Sequence, residues 1–323
     1  MKHVLAKLGL AAGLLLAASG PATAAPALKE IFSLGGGAFA QDHIYRIDLS
    51  GGTVTDLGFS GVGFPTNLAM APDRTLYYMN PFEAHALYQA TLNITNTALV
   101  GAPTLVKALP TAGFGIIDGM TVGPDSKLYM TGYGKNEIYR YDPILDVFEI
   151  AVVLTAGGAG GGGEFRSDLA FDPITGNLVG LGIEPGGSGD RTLFEIPAAT
   201  ALVGTSNPYA WSYFGGGGSA WATKVLNVGT EIGGNPDGLA FDPTNGDLYM
   251  SGDGTGVYAY DRVSAVRGAL IAGTGDGALN GLGFDLAFQT REVPIGIPLP
   301  GTLWLLLAGL GALASQAQRQ RRQ

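Results

Sequence analysis

Short apolar runs separated by turn residues recur through the middle of the chain. Residues 167–178 read Ser-Asp-Leu-Ala-Phe-Asp-Pro-Ile-Thr-Gly-Asn-Leu, and residues 237–248 read Asp-Gly-Leu-Ala-Phe-Asp-Pro-Thr-Asn-Gly-Asp-Leu. Looser copies begin at Asn67 and Asp118, and a fifth opens at Asp285. Each copy predicts a short buried strand and then a turn, because Pro presets φ and Gly accepts positive φ.

Further strands follow within each copy. Leu128-Tyr129-Met130 and Leu248-Tyr249-Met250 predict second strands, and each is followed by a Gly-rich reversal. A third strand with alternating aromatic residues then ends in Asp, as in residues 44–48, 138–142 and 257–261. Several strands per unit, at intervals near fifty residues, predict the blades of an all-β propeller.

The spacing of the repeats predicts five blades. The equivalent positions are Leu68, Met120, Leu169, Leu239 and Leu286, separated by 52, 49, 70 and 47 residues. The fifth copy has only a first strand, whereas residues 31–48 have later strands without a first one. We therefore expect the N-terminal strands to join the last copy and close the ring. A degenerate sixth blade in the 70-residue gap is the alternative.

The blade pattern resembles the NHL and SMP-30/gluconolactonase-like propellers. The shared sequence motif, Asp-Gly-Leu-Ala-Phe-Asp-Pro-x-x-Gly-x-Leu-Tyr, is nearly intact from Asp237 to Tyr249. The resemblance implies a propeller fold. It does not select a function, because lactonases, lyases and binding proteins share this signature.

Both ends of the chain predict export. Lys2 and Lys7 precede an apolar run, and Ala22-Thr23-Ala24 fits a signal-peptidase site. Residues 1–24 are therefore expected to be a signal peptide. Residues 25–290 then form the propeller domain. We expect this domain to act outside the inner membrane of a Gram-negative bacterium, at the cell surface or in the extracellular matrix.

The C-terminal segment, residues 291–323, has the three parts of a membrane-held sorting signal. A proline motif at Pro298, Pro300 and Gly301 precedes the apolar run 302–314, and the basic end contains Arg319, Arg321 and Arg322. The run is short against the roughly 20 residues that cross a bilayer, which favours a transient hold. The basic residues are expected to stay cytoplasmic.

This segment resembles the PEP-CTERM family of sorting signals in a Pro-Leu-Pro variant. The resemblance implies recognition and cleavage by an exosortase-like membrane enzyme, followed by release to the surface or to a polysaccharide matrix. An uncleaved C-terminal anchor is the alternative.

Charge narrows the range of partners. Residues 25–290 contain 12 Lys and Arg against 26 Asp and Glu, a net charge of −14. An acidic body of this kind argues against binding nucleic acid, because such binding needs basic patches. The chain contains no cysteine, so burial rather than disulfide bonds must stabilise the domain. A monomer is expected.

One set of residues could bind a metal ion. An Asp or Asn lies one or two residues before each repeat anchor, and the set comprises Asn67, Asp118, Asp168, Asp237 and Asp285. If the first strands line the channel, these oxygen atoms converge, and hard oxygen ligands suit Ca²⁺. The alternative is that they accept backbone N–H bonds in turns. The unequal offset from the anchors argues, by strand alternation, that the five do not point alike.

Two functions fit these observations. The preferred one is a non-catalytic binding module for exopolysaccharide or a surface protein, because no acid or base is evident beside the ring. The alternative is a calcium-dependent hydrolase or lyase of the lactonase-like kind. The tyrosines at 139, 141, 258 and 260 could stack on sugars, although alternating aromatics are typical of cross-strand packing.

Overall fold

The described part of the chain is a ring of five sheets, whose strand pairings are antiparallel except for one parallel pair in blade 3. The structure, a computed structural model, describes residues 30–35, 42–63, 65–80, 86–109, 117–132, 135–155, 164–183, 191–203, 205–226, 236–252, 256–272 and 286–287. The innermost strands of neighbouring sheets contact one another in sequence, and the last one contacts the first. The prediction of an all-β, five-bladed propeller is confirmed.

The strands are assigned to blades as follows. Blade 1 contains β1 (Glu30–Leu34), β2 (His43–Asp48) and β3 (Val54–Phe59). Blade 2 contains β4 (Thr66–Met70), β5 (Thr75–Asn80), β6 (Ala86–Leu92) and β7 (Leu99–Ala108). Blade 3 contains β8 (Ile117–Val122), β9 (Leu128–Gly132), β10 (Glu137–Asp142) and β11 (Val147–Thr155).

The later blades follow the same order. Blade 4 contains β12 (Glu164–Phe171), β13 (Leu178–Ile183) and β14 (Arg191–Ile196). Further along are the helix α1 (Ala198–Val203), β15 (Thr205–Ala210), β16 (Ser212–Tyr213) and a 3-10 turn (Ala220–Thr223). Blade 5 contains β17 (Pro236–Phe241), β18 (Leu248–Gly252), β19 (Gly256–Tyr260) and β20 (Arg267–Ala272), and the last strand is β21 (Leu286–Ala287).

The two ends of the domain share blade 1, as the repeat pattern predicts. β21 pairs antiparallel with β1, with Leu286 opposite Ser33 and Ala287 opposite Phe32. The sheet order is β21, β1, β2, β3, so the C-terminal strand is the innermost one. Ring closure therefore joins residues from opposite ends of the sequence.

The sixth-blade alternative is wrong, because the 70-residue gap supplies strands to existing blades. β15 pairs in parallel with β11 and becomes the outer edge of blade 3. β16 then pairs with β14 and becomes the fourth strand of blade 4. Trp211, between these two strands, is buried against Phe194 with ring centroids 4.0 Å apart.

The core lies between the blades. Five clusters of buried side chains fill the described interior, one between each pair of neighbouring blades. Trp221 is fully buried between blades 4 and 5, and Tyr129 is fully buried between blades 3 and 4. Burial of such aromatic groups supplies the stabilisation that disulfide bonds do not.

The meander within each blade defines two faces of the ring. The hairpin face carries the turns between first and second strands, such as 172–177 and 242–247, and those between third and fourth strands, such as 143–146 and 262–266. The loop face carries the remaining connections, most of which lie outside the described residues. In the described part of the chain, no helix has the length and hydropathy needed to span a membrane, and the segment 302–314 lies outside that part.

Candidate functional site

The candidate site is the inner ring, the set of Asp and Asn residues that lie one or two positions before each repeat anchor. Asn67 lies in β4 and Asp168 in β12, and both side chains are buried. The backbones of Asp118 and Asp237 lie in β8 and β17. Asp285 and the sorting-signal residues Pro298, Pro300, Gly301, Arg319, Arg321 and Arg322 lie outside the described residues.

The strand pairing is irregular at each described position of the ring, and at three of them one residue is skipped as in a β-bulge. The pairing passes from Thr66 to Leu68, from Ile117 to Gly119 and from Pro236 to Gly238, so Asn67, Asp118 and Asp237 are skipped. In β12 the irregularity lies between Phe165 and Leu169 and includes Asp168. An inserted residue interrupts the alternation of side chains, so the offset argument from strand parity does not apply here.

The Asp168 carboxylate joins blade 4 to blade 5. Its Oδ1 accepts the backbone N–H of Leu169 at 2.8 Å, and its Oδ2 accepts the N–H of Leu239 in β17 at 2.9 Å. The side chain is 0% exposed. Full burial between two N–H groups from neighbouring blades fits a bridging role better than a ligand role.

The Asn67 side chain joins blade 2 to blade 3. Its amide nitrogen donates to the carbonyl oxygen of Ile117 at 2.8 Å and to Oγ1 of Thr66 at 2.9 Å. The backbone of Asn67 has a φ of 60°, a conformation that Asn adopts more readily than most residues. Asn67 and Asp168 therefore use one device, a bulged polar residue that bonds to the first strand of the next blade.

Buried hydroxyl groups accompany the ring on the second strands. Ser33, Thr131 and Ser251 are each 0% exposed. Thr131 pairs with Gly119 and Ser251 with Gly238, and these glycines directly follow Asp118 and Asp237. Sequence reasoning missed these residues, although each one stands just before a Gly-rich reversal in the repeat.

The described ring provides few groups for acid–base chemistry. Within the described ranges, no group of three or more His, Cys, Asp or Glu residues is placed to bind a metal ion. His43 lies in β2, away from the inner ring of Asp and Asn residues, and its Nδ1 is 2.9 Å from Asp56 Oδ2. The other body histidine, His85, lies outside the described residues.

The tyrosines considered for sugar stacking are mostly packing residues. Tyr139, Tyr141 and Tyr260 are buried, and Tyr139 stacks on Phe148 with centroids 5.7 Å apart. Tyr258 is half-buried, and the guanidinium of Arg267 lies 4.7 Å from its ring centroid. Burial raises the pKa of Tyr141 to about 12, so this phenol is neutral at physiological pH.

The fold and the ring define a five-bladed β-propeller, and part of the chain matches a known family. A model of the SMP-30/gluconolactonase/LRE-like region matches residues 32–153, which cover blade 2 and most of blades 1 and 3. The chain is thus similar to this family over that part of its length. No curated protein matches the chain.

Several solved structures resemble the chain at low identity. A structural genomics protein of unknown function from Bacteroides thetaiotaomicron VPI-5482 matches with 14% identity and a TM-score of 0.48, over 80% of this chain and 65% of that one. A nidogen/laminin complex matches with 15% identity and a TM-score of 0.39, over 76% of each chain.

Virginiamycin B lyase from Staphylococcus aureus matches with 14% identity and a TM-score of 0.38, over 70% of this chain and 62% of that one. The chain therefore spans less than two thirds of the first and third of these structures. At such scores, the three likenesses carry no argument about function.

Proposed function

We propose that this protein is an exported β-propeller that acts as a non-catalytic binding module at the cell surface or in the extracellular matrix. The observation that carries the proposal is the bonding of Asp168, whose two carboxylate oxygens accept backbone N–H groups from two blades. A catalytic or metal-binding carboxylate would need oxygen lone pairs directed into the channel. The ring residues stabilise the scaffold, and binding belongs to the surfaces it presents.

The proposal includes transient attachment to the membrane. The tail 291–323 holds the protein at the inner membrane until an exosortase-like enzyme cleaves near Pro298 and Pro300. The acidic body favours exopolysaccharide or a surface protein as the ligand, and nucleic acid is not expected. The protein works as a monomer.

The metal-dependent hydrolase or lyase is the second candidate. It is favoured by the match of residues 32–153 to the SMP-30/gluconolactonase/LRE-like model. In that case, Ca²⁺ would be held by ring oxygens from Asn67, Asp118, Asp168, Asp237 and Asp285. The ion would supply electrostatic stabilisation of negative charge, while the ring residues would hold and orient it.

An Asp168→Asn variant separates the two candidates. The amide NH₂ of Asn would face one of these backbone N–H groups, donor against donor. This should lower the free energy of unfolding by about 1–3 kcal/mol. We expect the melting temperature of residues 25–290 to fall by the same amount in calcium and in EDTA, and calorimetry to detect no Ca²⁺ binding by the parent. A glycan array on the parent protein then identifies the ligand class.

The opposite results would favour the enzyme. These are calcium-dependent stabilisation of the parent that Asp168→Asn abolishes, together with turnover of a simple lactone that requires calcium. Asp56→Asn is the matched control, because Asp56 is an exposed carboxylate beside His43 and lies away from the ring.

A further inference from the structure

Six large apolar side chains lie in turns on the hairpin face. They occupy four turns of blades 2 to 5, and their exposed fractions are high: Ile94 81%, Ile144 86%, Leu145 70%, Ile174 61%, Val263 78% and Val266 60%. A single exposed apolar residue is ordinary in a soluble protein. Six on the turns of one face exceed such scatter, and exposed apolar surface of this extent marks binding to a protein or a membrane.

Side-chain contacts link several of these turns on one face. Arg262, beside Val263, donates from Nη1 to the carbonyl oxygen of Gly246 at 3.1 Å, which joins two turns of blade 5. Arg262 also binds Asp172 of blade 4 at 2.6 Å, two residues before Ile174. In blade 3, Lys127 Nζ lies 3.5 Å from Asp142, two residues before Ile144.

The first described strand begins, and the last one ends, toward this same face. Asn96, in the turn that carries Ile94, donates to Glu30 at 3.3 Å, and Glu30 is the first residue of β1. β21 runs antiparallel to β1, so its C-terminal end points toward the level of Glu30. In the other blades, the turn between the first and second strands lies at this level.

The apolar segment 302–314 begins fourteen residues after the chain leaves the ring. A chain of that length spans at most about 50 Å, and less if it is not fully extended. When the tail is in the membrane, the tether is attached on the side of the hairpin face and keeps that attachment point within about 50 Å of the lipid.

We propose that the hairpin face docks on the bilayer while the tail holds the protein, with Ile94, Ile144, Leu145, Ile174 and Val263 in contact with lipid. The proposal rests on the membrane attachment proposed above. The surface it fits is zwitterionic, because Asp73, Asp125 and Asp247 stand in other turns of the same face and would be repelled by anionic headgroups. Cleavage of the tail then uncovers this face.

Fluorescence quenching by brominated lipid tests the docking. Ile144→Trp and Val263→Trp are made separately in the full chain carrying Trp304→Phe and are reconstituted in vesicles of brominated phosphatidylcholine. The matched control is Phe59→Trp, because Phe59 is 52% exposed but lies at the end of β3 on the loop face. Trp211 and Trp221 are buried in the body and give a common background.

We expect quenching of the added tryptophan to be at least threefold stronger at 144 and 263 than at 59. Equal quenching at all three positions in a chain that floats with the vesicles overturns the docking and leaves the attachment intact. A chain that does not float shows that the attachment itself fails, and docking falls with it. A third outcome is measured without lipid on residues 25–290. If the tryptophans at 144 and 263 are protected from quenching by iodide and the protein has the mass of a dimer, the face binds a second copy, which also overturns the proposal.

Discussion

Single aspartates close the outer hairpins of three blades. Asp48, Asp142 and Asp261 stand at the ends of the third strands, where each Oδ1 accepts backbone N–H groups from the following turn. The pKa of Asp142 is lowered mainly by the N–H of Leu145, and that of Asp261 mainly by the N–H of Ser264. The bonds to Ser50 lower the pKa of Asp48.

These lowered pKa values predict that the folded protein loses stability as the pH falls. A carboxylate whose pKa is lower in the folded state contributes stability above the ordinary value of 3.8, and this contribution is lost as pH falls through the folded value. We expect the melting temperature to drop less steeply below about pH 4 when Asp48, Asp142 and Asp261 are all changed to Asn. The amide oxygen still accepts the N–H bonds but does not titrate.

A triple Ala variant is the control for this experiment. It removes the acceptors and should lower the melting temperature at neutral pH as well, since capping of the turns is lost. An Asn variant with the same acid slope as the parent would show that these carboxylates do not carry the pH dependence.

At the scale of the element, turn chemistry was predictable because it is local. The Asp-Pro-x-x-Gly turns form as expected, with Gly176 and Gly246 at φ values of 75° and 77°. In the looser copies, Arg74 and Ser126 take the left-handed position instead, at 72° and 62°. The bulges at Asn67 and Asp118 were not predictable, since a bulge depends on the register of the partner strand.

Three glycines with positive φ should differ in their tolerance of alanine. At Gly176 a Cβ meets only Ala198 at 3.5 Å, so Gly176→Ala should cost only about 1–2 kcal/mol of backbone strain. At Gly246 it would approach Arg262 Nη1 to 2.7 Å and crowd Ile174, which adds roughly 1 kcal/mol or more. At Gly52 it would collide with the backbone carbonyl of Ile271 in the next blade.

We therefore expect the cost to rise from Gly176→Ala through Gly246→Ala to Gly52→Ala, and the last to exceed about 3 kcal/mol. Urea unfolding of residues 25–290 measures the series, with Gly216→Ala as a control for strain without contacts. Equal losses at all four positions would mean that the contacts between blades add nothing to the backbone strain.

For the whole molecule, the ring is complete between residues 30 and 287. Because the described strands close the ring without residues 1–24 or 291–323, the proposed processing at both ends should leave the fold unchanged. We expect the released protein to begin at Ala25, to lack Arg322 by intact-mass measurement, and to melt at the same temperature as purified residues 25–290.

A Pro298→Ala, Pro300→Ala double variant provides the matched control for release. It should accumulate in the membrane fraction with Arg322 still attached, because the motif proposed for cleavage is altered. An intact Arg322 on the released parent protein would rule out processing and favour the uncleaved anchor.

The repeat, its turns and the closure by N-terminal strands could be inferred from the sequence alone. They follow from local φ preferences and from matching incomplete units, which need no knowledge of distant contacts. The choice of five blades over six, and the contacts between blades, became clear only from the folded structure. Asp168 reaches Leu239 across 71 positions, and residues 205–210 pair with blade 3 instead of forming a sixth blade. Such pairings depend on how the folded blades pack against one another. The same holds for the position of the apolar turns and of β1 and β21 relative to one face of the ring.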